Sequence, residues 1–238
     1  MRKLYDDKPV LFAVLWIVVY VVLIAPLRGR FGDDSVQMLL GLVILSMALL
    51  LVIRSSGMQE ELGMTRWLQN GKRVLWLLPM WLLATGNLWG GISVRYEPIN
   101  TLMAVLSFLL VGVAEEIIFR GFLFNGMKKT GSLTVAVIVS AITFGMGHIV
   151  NLLTGHATGE TLVQIVFAVA WGFLFTFAYL KGGSLLPCIA IHSLIDVLSV
   201  FARDNAVADK VCIVATVAVA VVYCLYLSKQ PTPETKKE

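Results

Sequence analysis

Eight apolar runs divide this chain, at about 10–27, 36–53, 74–90, 101–124, 133–153, 161–180, 185–201 and 211–228. Each is close to the ~20 residues (about 17–25) that a membrane-spanning helix needs. The third and seventh are the weakest: Gly90 and Gly91 end the third, and Pro187 opens the seventh at a position a helix tolerates. Only 14% of the residues are charged, where soluble domains carry roughly 25%. With 58% hydrophobic residues and a mean hydropathy of +0.84, so much apolar surface has lipid as its natural solvent. Lipid leaves backbone polar groups nothing to bond to but each other, so the runs read as helices. The expected fold is an all-α polytopic membrane protein of about eight transmembrane helices.

Eight spans put both termini on one side. That side holds 13 lysines and arginines, the other only Arg28, Arg30, Arg95, Arg203 and Lys210. The positive-inside rule then makes both termini cytoplasmic. The net charge of +4 reflects this bias. No basic cluster with interleaved aromatics appears, so no nucleic-acid partner is expected. The first run is too long for a signal-peptide core and lacks a small-residue cleavage site, so it reads as a retained helix. Cys188, Cys212 and Cys224 lie inside spans without CxxC spacing, as small apolar residues in packed helices. The stretch 54–73 reads as a short interfacial helix with Trp67 near the headgroups, or as an ordinary loop. The polar, proline-containing tail after 228 reads as disordered. Three parts result: 1–100, with three scaffold-like or lipid-facing spans and the interfacial stretch; 101–201, holding the polar residues; and 202–238, the last span and tail.

A charge at the bilayer centre costs about 2.5–3.5 kcal/mol on insertion scales, so charges in a span are functional candidates. The fourth span holds Glu115, Glu116 and Arg120. Glu116 and Arg120 are i and i+4, about 40° apart around a helix, so they meet on one face and Arg120 can neutralise Glu116. Glu115 is turned about 100° away and has no partner in its own helix. A dry, unpaired carboxylate can exchange a proton near neutral pH, as a general base must. In the fifth span His148 follows Phe144 by one turn, with Gly145 and Gly147 leaving room for a neighbouring helix. In the seventh, Cys188, His192 and Asp196 form an i, i+4 stripe. Two carboxylates and two imidazoles on three spans can activate water or bind a metal. The third histidine, His156, reads as a solvated loop residue.

The segments EEIIFRGF from Glu115, FGMGH from Phe144 and HSLID from His192 resemble the three motifs of the CAAX-protease and bacteriocin-processing (Abi) family. Those motifs, EExxxR, FxxxH and HxxxN or HxxxD, lie in this order on separate transmembrane helices. The resemblance covers about 101–201 and implies an intramembrane endopeptidase acting on a peptide or membrane-protein substrate. By resemblance, Glu115 is the base that activates water, His148 assists it, and His192 and Asp196 stabilise the oxyanion, with Glu116 and Arg120 in support. An ionised aspartate would repel an oxyanion, so Asp196 is expected instead to orient His192 and raise its positive charge. No cofactor is expected.

The alternatives are a zinc peptidase with Glu115, His148, His192 and Asp196 as ligands, a proton-coupled carrier, and a non-catalytic bacteriocin-immunity or scaffold protein. Zinc lacks an HExxH spacing to support it, and no inverted repeat supports a carrier. The compact chain points to the inner membrane of a bacterium. One conflict follows from the predicted boundaries. A fourth span ending at 124 puts Glu115 in the cytoplasmic half and His148 in the outer half. To share a water in a cavity between spans four, five and seven they need other span boundaries, a tilted helix or a broken one, for which Gly121, Gly126 and Gly131 offer places.

Overall fold

The computed structural model describes residues 1–67, 75–154 and 157–232. Ten α-helices form among them. They are α1 (Arg2–Asp7), α2 (Pro9–Phe31), α3 (Val36–Ser55), α4 (Leu78–Ala84), α5 (Pro98–Glu116), α6 (Asn125–Thr130), α7 (Leu133–Met146), α8 (Thr158–Gly182), α9 (Leu186–Ser199) and α10 (Ala206–Ser228). Tight 3-10 turns extend α4 over Thr85–Leu88 and α7 over Gly147–Thr154. A π-helix, Ile117–Phe124, joins α5 to α6 without a break. Starts follow local chemistry. The Ser35 hydroxyl caps α3 by accepting from the Met38 amide, and Asn205 caps α10 by accepting from Val207 and Ala208. Proline opens α2, α5 and α9. Among the described residues no strand forms beyond one isolated bridge, Ile92–Ala202.

Six helical segments are long and apolar enough to cross a membrane, and Leu75–Leu88 and Leu186–Ser199 are apolar but shorter. The fold is an all-α polytopic membrane fold. The two weak runs are the two short helices. The 14 residues of α9 span about 21 Å, less than the ~30 Å hydrocarbon core. Large apolar side chains such as Val22, Ile44, Leu51 and Val222 point outward, while Glu116, Arg120 and His192 are buried. Charge inside and hydrocarbon outside is what a lipid solvent demands.

Bonds between loops sort the helix ends into two faces. Glu61, after α3, pairs with Arg2 at 2.9 Å and with Lys129 of α6 at 2.6 Å. The Ser184 hydroxyl donates to the Gly63 carbonyl (3.0 Å), and Lys181 donates to the Gln230 carbonyl (2.5 Å). The N-terminus and the end of α10 therefore share a face, as an even number of crossings requires. On the opposite face Asn100 donates to Asp34 at 2.9 Å and Arg95 pairs with Asp204 at 2.6 Å.

The fourth span is longer than its apolar run. It continues to Thr130 as one helix of 33 residues, whose last turn carries Lys128 and Lys129. Of the glycines that could have broken it, Gly121 and Gly126 lie inside continuous helix, and Gly131 lies just past its end. The irregularity is the π-helix instead. Over the described part of 54–73 the chain turns after α3 rather than forming an interfacial helix. Gly57 and Gly63, both at φ +63, adopt backbone that other residues avoid. Trp67 is exposed. His156, residues 68–73 and the tail from 233 lie outside the described residues.

Gly145 does leave room for a neighbour, whereas nothing approaches Gly147. A Cβ at Gly145 would stand 2.3 Å from Val169 Cγ2 and 2.8 Å from the Val169 backbone nitrogen. Gly145→Val should push α7 and α8 apart and destabilise by about 1–3 kcal/mol. Thermal unfolding in detergent measures this, and an unchanged midpoint would contradict the close packing.

Candidate functional site

The length of the fourth span removes the conflict over depth. Glu115 stands 15 residues before Thr130, and His148 stands 15 residues after Leu133. The two helices leave the same turn in opposite directions. At 1.5 Å per residue both side chains sit roughly 20 Å from that turn, at one level. A span ending at 124 had left Glu115 too shallow.

Glu116 and Arg120 meet at 2.7 Å, both with fully buried side chains. The wider π-helical turn keeps i and i+4 on one face. Arg120 also donates to the Gly172 carbonyl (3.3 Å), and its guanidinium lies 4.1 Å from the centre of the Phe144 ring and 5.1 Å from that of Phe175. Those aromatic faces favour the cation where water is absent. Glu116 is more than a partner for Arg120. The same oxygen, Oε1, stands 2.9 Å from His192 Nδ1. Because the acceptor is a carboxylate paired with arginine, Nδ1 carries the proton and donates. His192 is further held between aromatic rings, stacked on Phe175 at 5.3 Å and edge-on to Phe144 at 5.5 Å.

With Nδ1 committed, His192 presents Nε2 to two carboxylates, Asp196 Oδ2 at 3.4 Å and Glu115 Oε2 at 3.8 Å. The other oxygen of Glu115 accepts a hydrogen bond from the Tyr20 hydroxyl at 2.5 Å. Glu115, unpartnered within its own helix, is thus met by side chains from two others. His148 packs edge-on to Phe144 at 6.0 Å. Its Nδ1 is buried.

Glu115, His148, His192 and Asp196 all line one cavity of about 340 Å³. A second cavity of about 300 Å³ adjoins it, and Arg28, Glu115, Phe144 and His148 border both. The walls extend beyond spans four, five and seven. Trp171 and Phe175 come from α8 and Arg28 from α2, where Arg28 pairs with Asp33 at 2.8 Å. Asn87, beyond α4, also lines the first cavity and donates to the Ile195 carbonyl at 2.7 Å. The first span is therefore more than scaffold. Its cavity-facing stripe of Ile17, Tyr20, Val21 and Arg28 was readable only as ordinary helix periodicity.

Toward a metal, His192 could offer only Nε2, since its Nδ1 is bonded to Glu116. Among the described residues no three His, Cys, Asp or Glu side chains form a metal-ready group. The three cysteines are free and buried.

The site thus gathers a glutamate pair, an arginine and two histidines inside a membrane helix bundle. Residues 97–198 match the family model described as type II CAAX prenyl endopeptidase Rce1-like. That stretch is similar to CAAX proteases of the Rce1-like kind. No curated protein and no solved structure matched the chain. The Rce1-like segment opens one residue before α5 and closes one residue before the end of α9. It therefore contains all three motifs and supports an intramembrane protease of the CAAX type. Tyr20 and Arg28 of the cavity wall lie outside it.

Proposed function

We propose that this chain is an intramembrane endopeptidase in which Glu115 activates the hydrolytic water and no metal takes part. The observation that carries the reading is the meeting of Glu115, His148, His192 and Asp196, from three separate helices, on one cavity. Glu115 Oε2 takes a proton from water as the water oxygen bonds to the scissile carbonyl carbon. The carbonyl π electrons move to oxygen, which accepts hydrogen bonds from imidazole N–H groups. Glu115 then returns the proton to the amide nitrogen as the C–N bond breaks, leaving a carboxylic acid and an amine.

His148 lines the same cavity as Glu115 and would hold the water or the oxyanion there. His192 donates through Nε2 when doubly protonated. Asp196 and Glu115, facing that nitrogen at 3.4 and 3.8 Å, supply the countercharge. Asp196 therefore orients and charges His192 and does not itself meet the oxyanion. Glu116 and Arg120 fix the histidine from the other side. The substrate is a peptide or a membrane-protein segment. The excess of lysine and arginine at the termini favours a cytoplasmic location for both, and we assign the protein to a bacterial inner membrane.

The test compares membrane-protein fragments from cells making the wild type or Glu115→Gln. Fragments that depend on wild type support the reading, and identical fragment sets overturn it. Chelation is a separate test: activity of the purified protein should survive 1,10-phenanthroline. Loss that zinc restores would move the chemistry to a metal.

A further inference from the structure

We infer that Tyr20 is a positioning residue for this reaction, supplied to Glu115 by a helix outside the Rce1-like segment. The inference rests on the reading of Glu115 as the base. The Tyr20 hydroxyl donates to Glu115 Oε1 at 2.5 Å. That bond occupies one oxygen and stops the carboxylate from turning about its last side-chain torsion. The other oxygen, Oε2, is left on the His192 side, 3.8 Å from Nε2. A general base works through one oxygen held in one direction, and a displacement of about 1 Å can cost ~10²-fold in rate.

The contact is set by a register and is not a chance encounter of two polar groups. α2 runs antiparallel to the long fourth span. A Cβ at Gly126 would lie 3.1 Å from the carbonyl carbon and oxygen of Pro9, so the helices touch backbone to backbone there. Phe12 then packs edge-on to Phe122 at 4.9 Å, and Trp16 packs on the same ring at 6.3 Å. Phe12, Trp16 and Tyr20 are spaced by four along one face of α2. From Pro9 to Tyr20 is 11 residues, and from Gly126 back to Glu115 is also 11. Three fixed points below thus bring the phenol level with the carboxylate. A hydroxyl needs an acceptor in a membrane helix whatever its role. What distinguishes positioning from mere satisfaction is that the acceptor is the catalytic oxygen pair.

The experiment uses the full chain in lipid nanodiscs and an internally quenched peptide built on the cleavage sequence found by the fragment comparison. Tyr20→Phe should lower kcat by about tenfold or more, with KM within about twofold and the unfolding midpoint unchanged. Tyr20→4-aminophenylalanine, which keeps a donor at the same place, should recover most of the rate. Wild-type kcat in Tyr20→Phe, alongside an inactive Glu115→Gln, would overturn this inference and leave the base intact. So would a loss that the amino variant fails to recover, since packing alone would then explain it. Wild-type cleavage by Glu115→Gln would remove the base itself, and the role of Tyr20 with it.

Discussion

Glu115→Gln should abolish cleavage while the protein still folds. A general base contributes about 10²–10⁴-fold, and an amide of the same shape cannot take a proton from water. The fold is spared because Glu115 is not the carboxylate that neutralises Arg120. That is Glu116, at 2.7 Å. Glutamine also keeps an oxygen for the Tyr20 hydroxyl, so the contact at 2.5 Å can persist. The measurement is the initial rate on the quenched peptide, together with thermal unfolding in the same detergent. Loss of rate at an unchanged midpoint is the expected pair of results. Glu115→Asp should retain little, because shortening the side chain by one methylene withdraws the carboxylate from both the phenol and the cavity. Full activity in Glu115→Gln would end the assignment.

The largest effect on stability belongs to Arg120. With both side chains of the Glu116–Arg120 pair fully buried, Arg120→Met leaves a carboxylate in a dry site with His192 as its remaining partner. Breaking a buried pair costs about 3–5 kcal/mol. Replacing both partners removes the stranded charge, so Arg120→Met with Glu116→Gln should be less destabilised than Arg120→Met alone. Part of the loss should remain, because the guanidinium also lies over the Phe144 and Phe175 rings and methionine has no charge to offer them. The double variant should still be slow, since His192 would lose the ionised acceptor at Nδ1 that fixes its ring. Unfolding of the single and double variants in mixed detergent closes the cycle. An Arg120→Met protein within about 1 kcal/mol of wild type would show that the pair does not hold this site.

The parts of the site that were legible in sequence are those governed by helix geometry. Glu116 and Arg120 four apart had to share a face, and His192 and Asp196 likewise, because side-chain direction follows from 3.6 residues per turn alone. The aromatic contact of Phe144 with His148 follows in the same way. The bond between His192 and Glu116 did not follow, since it joins residues 76 apart in the chain. Tyr20 was missed for the same reason, being 95 residues from Glu115. A lone tyrosine in an apolar run carries no pattern. Arg28 falls just past the end of the first apolar run, although its helix runs on to Phe31.

Lipid is a solvent with one rule for backbone and another for charge. Those two rules, applied residue by residue, determined from sequence alone that this chain is an all-α membrane protein and which side chains its bilayer segments must shelter. Depth and partnership were decided by tertiary structure. Hydropathy ends a span where polar residues begin, but a helix ends where its hydrogen bonds do, and the fourth span continues to Thr130. That extra length brings Glu115 level with His148. The packing of α2 along it brings Tyr20 to Glu115, a contact that depends on the fit of whole helices and has no local signature.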